Sequence, residues 1–204
     1  MEIKKDTYKT ILNPSEGLIY KEKGSKFLGF AFPISNEDDV KVYIVMLKKQ
    51  HHTAKHWCFA WQIGVENPQY RVNDGGEPHN SAGQPIYGQI QSFDLTNVLV
   101  VVVRYFGGTK LGVGGLISAY KTAAQYALDT SEIIEKYIEI NFKIVVDYPN
   151  LNKIMRFTKE HQIIITHQNM EIDCEIYFAI RKSEFEKYNT IISALHYLKY
   201  FSFS

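Results

Sequence analysis

The residues best equipped for chemistry lie in three short stretches. Between Arg104 and Gly115 the chain sets Gly107, Gly108, Gly112, Gly114 and Gly115 around Lys110. Glycine suits backbone that takes positive φ or comes close to another group. A second stretch, Asn73 to Gly83, carries Asp74 and Glu77 among glycines and amides, carboxylates able to hold a cation or move a proton. The third holds His52, His56 and Cys58, whose spacing is nominally that of metal ligands.

Known patterns eliminate most of the obvious chemistry. A dinucleotide fingerprint G-x-G-x-x-G begun at Gly112 ends on Ile117 and fails. A P-loop fits Gly107 and Gly112, but Val113 and Gly114 follow where lysine and a hydroxyl residue are needed. Gly115, Leu116, Ile117, Ser118 and Ala119 are faintly like the phosphate loop of galactokinase and homoserine kinase, without its second serine or its preceding segment. Ser118 has no nucleophile elbow, and neither cysteine has a neighbouring base in sequence. His56 and Cys58 lack a compact fourth ligand, so no metal or cofactor is expected and His56 reads as a hydrogen-bonded structural or site-lining histidine. Two carboxylates three residues apart do not by themselves make an enzyme.

The elements that must position these groups are legible in part. Val98 to Val103 is an unbroken apolar run, five of its six residues valine, which indicates a strand covered on both faces. Leu116, Tyr120, Ala123, Ala124, Ala127 and Leu128 recur at helical spacing, so a helix begins near Gly115 and packs on the sheet. Its unpaired N–H groups would then face the glycine loop. With Arg104, Lys110 and Lys121 the only charges between Asp94 and Asp129, that end favours an anion. A tight strand-to-helix crossover, its glycines serving only packing, explains the same spacing.

Leu18 to Pro33 reads as a hairpin turning at Lys23 and Gly24. Ser35 is placed to cap a helix whose first turn holds Glu37, Asp38 and Asp39. His56 to Ile63 alternates as a strand, with Trp57, Phe59, Trp61 and Ile63 on one face and His56, Cys58, Ala60 and Gln62 on the other. Asn67 to Pro85 shows no periodicity and reads as an ordered site loop. Asp129 to Lys136 is polar, and beyond it a strand (Tyr137 to Val146), a helix opened by Pro149, strands at Ile163 to Thr166 and Ile172 to Ile180, a helix with a Ser183–Glu186 capping box and a strand at Tyr200 to Phe203 suggest a split βαβ sandwich.

The totals describe an ordinary globular chain of 204 residues, 45% hydrophobic and 22% charged, with a net charge of +1. That balance argues against a large nucleic-acid or membrane footprint and leaves room for a local patch. Cys58 and Cys174 stand alone and far apart, so a reducing compartment is expected. The charged start, with Glu2, Lys4, Lys5 and Asp6, has no signal-peptide core, and no apolar run has the length of a membrane span. A cytoplasmic protein, without a membrane partner and monomeric, is the simplest expectation.

The motif Arg104, Tyr105, Phe106, Gly107, Gly108, Thr109, Lys110, Leu111, Gly112, Gly114, Gly115, Leu116, Ala119, Tyr120 resembles the signature of the Impact/YigZ family of uncharacterised proteins. Asp74, Gly76, Glu77, Pro78, Ala82, Gly83 and Pro85 resemble its second motif, Gly24 to Phe27 an N-terminal one, and Ala54, His56, Cys58 and Ala60 a fourth. The chain departs from the pattern at Gly75, where an acid is common, and at Ser118, where arginine or lysine is frequent.

The resemblance implies an α+β protein. Residues 1–133 would form an α/β sandwich like domain 2 of ribosomal protein S5, and residues 134–204 a ferredoxin-like βαββα domain like the last domain of elongation factor G. It also implies a link to translation: eukaryotic relatives regulate the general amino-acid control pathway by competing for an activator of an initiation-factor kinase, and nucleic-acid binding has been suggested for bacterial ones. The expectation is therefore a non-catalytic, translation-associated regulator that binds RNA, a ribosomal component or another phosphate-bearing partner. Its surface would comprise Lys26, His56, Asp74, Glu77, Arg104, Gly107, Gly108, Lys110, Gly114 and Gly115. The alternative is a small-molecule enzyme or phosphate-ligand binder in which Asp74 and Glu77 hold a cation beside the glycine loop. Arg104 could also serve only as an ion-pair partner of those acids.

Overall fold

The computed structural model describes residues 6–203, and the charged start at Glu2, Lys4 and Lys5 lies outside them. They form two compact units, residues 8–136 and residues 137–203 with 6–7. Among the described residues no helix is long and apolar enough to cross a membrane.

The first unit is organised around β7 (Val98–Tyr105), every residue of which is buried from Val98 to Arg104. It pairs antiparallel with β4 (Ser25–Pro33) on one side and β5 (His56–Ile63) on the other. Short β2 (Ser15–Glu16) and β3 (Tyr20–Glu22) pair with β4, and β6 (Gln69–Asn73) forms the far edge beside β5. The valine run needs no polar alternation because both its faces are covered. Leu99, Val101 and Val103 join Leu28, Phe30, Phe32 and Trp61 beneath α1 (Glu37–Gln50). Val98, Val100 and Val102 join Phe27, Ala31, Cys58 and Ala60 beneath α2 (Gly83–Ser92) and α3 (Gly112–Asp129). Each fully buried valine contributes roughly 1.5–3 kcal/mol. Strand β1 (Thr7–Ile11) pairs with β8 (Ile133–Tyr137) in a separate two-stranded sheet.

Several local expectations are corrected. The cap of α1 is Asn36, which accepts from the Asp38 and Asp39 N–H groups at 2.8 and 3.0 Å, while the Ser35 N–H donates to Asp39 Oδ2. Helix α3 begins at Gly112 rather than near Gly115. The Asn67 to Pro85 stretch, expected as a loop, holds β6 and the first residues of α2. The exposed edge position of β6 removes any need for apolar alternation, and α2 buries its face with little more than Ile86, Tyr87 and Ile90. The polar Asp129 to Lys136 segment likewise contains most of the exposed strand β8.

The second unit runs β9 (Glu139–Val146), α4 (Tyr148–Glu160), β10 (Ile165–Met170), β11 (Cys174–Arg181), α5 (Phe185–Ser193), β12 (Tyr200–Phe203). Its sheet order is β10-β11-β9-β12, the interleaved order of a ferredoxin-like sandwich. Phe142, Ile144, Ile176 and Phe178 pack on Ile154, Phe157, Tyr188 and Ile192 of the helices. Asp147 caps α4 through the Asn150 N–H with Pro149 in the first turn, whereas α5 follows a 3₁₀ turn at Lys182–Glu184 and has no side-chain cap in place of the expected Ser183–Glu186 box.

Candidate functional site

Strand pairing places Arg104 opposite Phe27 of β4 and His56 of β5, at the end of the sheet from which the glycine loop departs. Arg104 follows Val102 on the face covered by α2 and α3, and only 4% of it is exposed. A buried guanidinium must be met by partners. Its Nη1 donates to Glu77 Oε1 at 2.5 Å and its Nη2 to Ser25 Oγ at 3.2 Å, while Nε is buried without a partner among the described residues. The guanidinium lies 5.3 Å from the Phe27 ring centre and 5.5 Å from that of Phe106.

Glu77 is the hub. Its Oε1 also accepts from the Tyr120 hydroxyl of α3 at 2.8 Å, and His56 Nε2 stands 3.7 Å away. His56 Nδ1 lies 2.9 Å from the Gly75 carbonyl, which can only accept, so Nδ1 carries a proton in that contact. One carboxylate oxygen therefore ties β7, α3 and the 74–83 loop together. Beneath it the Cys58 thiol donates to the Asp74 carbonyl at 2.9 Å. Burial, with the Glu77 and Asp74 carboxylates nearby, pushes that thiol up to about 12. Burial, with Cys58 and Glu77 alongside, also pushes the Tyr120 phenol far above its usual range. Both groups stay protonated at neutral pH, so Cys58 supplies no thiolate nucleophile.

Asp74 is used differently. Its Oδ1 accepts from the Ala82 and Gly83 N–H groups at 3.0 and 2.8 Å and its Oδ2 from the Asn80 N–H at 3.0 Å, which caps the start of α2. Among the described residues no three His, Cys, Asp or Glu side chains gather to hold a metal ion, and protein donors engage both carboxylate oxygens of Asp74 and the Oε1 of Glu77.

The glycine loop has a packed half and an open half. Gly107 lies so close to Gly24 that a Cβ there would fall 1.9 Å from the Gly24 carbonyl carbon, and its N–H donates to Ser25 Oγ at 3.2 Å. Gly108 and Gly112, at φ +87° and +75°, and Gly114 have no atom of the described residues within 4 Å of where a Cβ would stand. Gly115 is the exception within the helix, its absent Cβ facing the Leu111 side chain at 3.1 Å. Helix α3 starts here without a side-chain cap, so its first N–H groups lack that partner. Lys110 is exposed just ahead of them.

The structure thus brings His56, Glu77, Arg104 and Gly107 together, and sets the Asp74 carboxylate at the start of α2. Lys110, Gly108, Gly114 and Gly115 belong to the loop and the first turn of α3. Lys26 does not join Arg104: it alternates with Phe27 and pairs with Tyr105, whose hydroxyl meets His51 Nδ1 at 2.9 Å at the end of α1. Sequence reasoning did not assign Ser25, Phe106 or Tyr120 to the site. Tyr120 could have been found, because a tyrosine in an otherwise small and apolar helix stripe needs a partner for its hydroxyl.

Comparison with known proteins covers this region and, for several relatives, most of the chain. Residues 23–128 match the Impact N-terminal domain. An IMPACT family member from Haemophilus influenzae is 29% identical over 186 residues, spanning 88% of this chain and 89% of the relative. The IMPACT family member YvyE of Bacillus subtilis is 34% identical over 173 residues, 84% of this chain and 79% of its own. The crystal structure of a hypothetical protein shares the fold with a TM-score of 0.75 at 22% identity, over 97% of this chain and 96% of that one.

Proposed function

The chain belongs to the Impact family, and on that premise we propose that it is a non-catalytic, translation-associated regulatory protein. In this reading residues 1–133 and 134–204 are the two domains of a cytoplasmic family member, and the first binds RNA, a ribosomal component or another phosphate-bearing partner. The observation that carries it is the open half of the glycine loop. Gly108, Gly112 and Gly114 leave the backbone uncovered at the uncapped start of an 18-residue helix, with Lys110 exposed beside it. Helix N–H groups without a side-chain cap, the positive end of a helix and a lysine suit a phosphate. The Arg104–Glu77–Tyr120 network is the frame that holds this loop to the sheet.

The enzyme alternative has less support, since Asp74 caps α2 and Glu77 is engaged by Arg104 and Tyr120. Retention of a single-stranded RNA oligonucleotide and of ribosomal particles tests the proposal with two variants that leave the buried network intact. Gly114→Leu places a side chain over the open backbone where nothing stands in its way, and Lys110→Ala removes the cation. Both are expected to weaken retention severalfold with unchanged melting. Unchanged retention in both contradicts the proposal.

A further inference from the structure

The second unit holds a cavity that the glycine loop does not touch. Asn152, Lys153, Arg156, Phe157 and Glu160 fall on one side of α4, and the turn after α5, closed by the Leu195 N–H to Ile192 and the Leu198 N–H to Leu195, sets Leu195 and Tyr197 against it. Between them lies a space of about 360 Å³. Its floor is Phe157, Leu195 and Tyr197, all packed on the core of this unit. Its rim is cationic: Lys153 Nζ stands 4.9 Å from the Tyr197 ring centre, and Arg156 is one helical turn further along. Among the described residues neither cation has an acidic partner. Glu160, a turn beyond Arg156, adds one acceptor.

We propose that this cavity binds a small organic anion, with a flat apolar body on Phe157, Leu195 and Tyr197 and a phosphate or carboxylate between Lys153 and Arg156. A bare inorganic anion leaves the apolar floor unused, and a neutral ring leaves the cations in water. The volume is near the lower end of ligand cavities, roughly 300–1,000 Å³, which fits a body of mononucleotide or dipeptide size. A hydrogen-bond donor on the ligand is met by Glu160. An extended RNA backbone calls for a charged track instead of an apolar cup, and Lys159 of the same helix lies off this cavity.

Calorimetric titration of the full chain with adenosine monophosphate, N-acetylphenylalanine, adenosine and inorganic phosphate tests the assignment. Saturable binding of either ring-bearing anion is expected, with adenosine and inorganic phosphate at least tenfold weaker. Binding of the nucleotide alone identifies phosphate as the anion, and binding of the amino-acid derivative alone identifies carboxylate. Arg156→Gln should weaken binding about tenfold, the size of one charge-assisted hydrogen bond, and Lys159→Gln should leave it unchanged. Arg156 is exposed, so an unaltered melting profile separates lost binding from lost fold. The proposal is overturned if neither ring-bearing anion saturates, or if Lys153→Gln and Arg156→Gln both bind as the parent does.

Discussion

Two ion pairs, one in each unit, have nearly the same length and do different work. Arg104 and Glu77 meet at 2.5 Å with their side chains 5% and 4% exposed, whereas Lys143 of β9 and Glu175 of β11 meet at 2.6 Å with 31% and 28% exposed. Distance does not rank them; solvent does. Water and salt reach the half-buried Lys143–Glu175 pair and screen its attraction, and losing it leaves both groups hydrated. Under α3 neither charge has water to return to, so each depends on the other, and Ser25 and Tyr120 complete the arrangement. A surface pair decorates a fold that already stands, while the buried pair decides where a loop, a helix and a strand end must sit.

The sharpest way to break this contrast is to remove Arg104. Arg104→Met strands the Glu77 carboxylate and should destabilise the first unit by roughly 3–5 kcal/mol in urea unfolding, with much of the loss recovered by adding Glu77→Leu. A single variant near neutral would place the two pairs in the same class.

Alkaline pH sharpens it next. The Cys58 thiol ionises near its ordinary 9 in the unfolded chain and near about 12 in the folded one. Between those values the unfolded state alone loses the proton, so stability falls as pH rises, by about 1.4 kcal/mol per unit. Cys58→Ala should flatten that fall in unfolding measured between pH 9 and 10, below the ordinary range of the Tyr120 phenol, whose own raised pKa steepens the curve above it.

Tyr120→Phe deletes one donor to Glu77 and keeps the ring, and about 1–2 kcal/mol of destabilisation is expected in thermal melting. The smallest effect belongs to the surface pair: Lys143→Ala should leave the melting temperature unmoved, and high salt should change nothing further. Hydrogen bonding to Glu175 raises the Lys143 pKa, and hydrogen bonding to Lys143 lowers that of Glu175. Any support from Glu175 is present above the ordinary carboxylate range and lost as pH falls through its lowered value. Support from Lys143 is present below the ordinary ammonium range and lost as pH rises through its raised one.

How much of this could be read in advance follows from the same physics. The Val98 to Val103 run announced β7 because burial on both faces leaves a compositional trace, and the His56 to Ile63 alternation announced β5 because its two faces meet different layers. Strands β6 and β8 left none, being exposed pieces held by backbone bonds to a partner the sequence does not point to. At the site, the types of Arg104, Glu77 and Gly107 were legible, but the pairing of Arg104 with Glu77 rather than Asp74 depends on which carboxylate caps α2. The grouping of Lys26 with Arg104 overlooked the period of a strand: Phe27 lies across from Arg104, so its neighbour Lys26 must face the other layer.

The most direct test of the loop as a phosphate seat is the salt dependence of single-stranded RNA binding, compared between the parent chain and Lys110→Ala. If Lys110 neutralises a phosphate at the open half of the loop, the slope of log affinity against log salt becomes shallower by about 0.7. An identical slope and affinity in the two proteins would contradict the account.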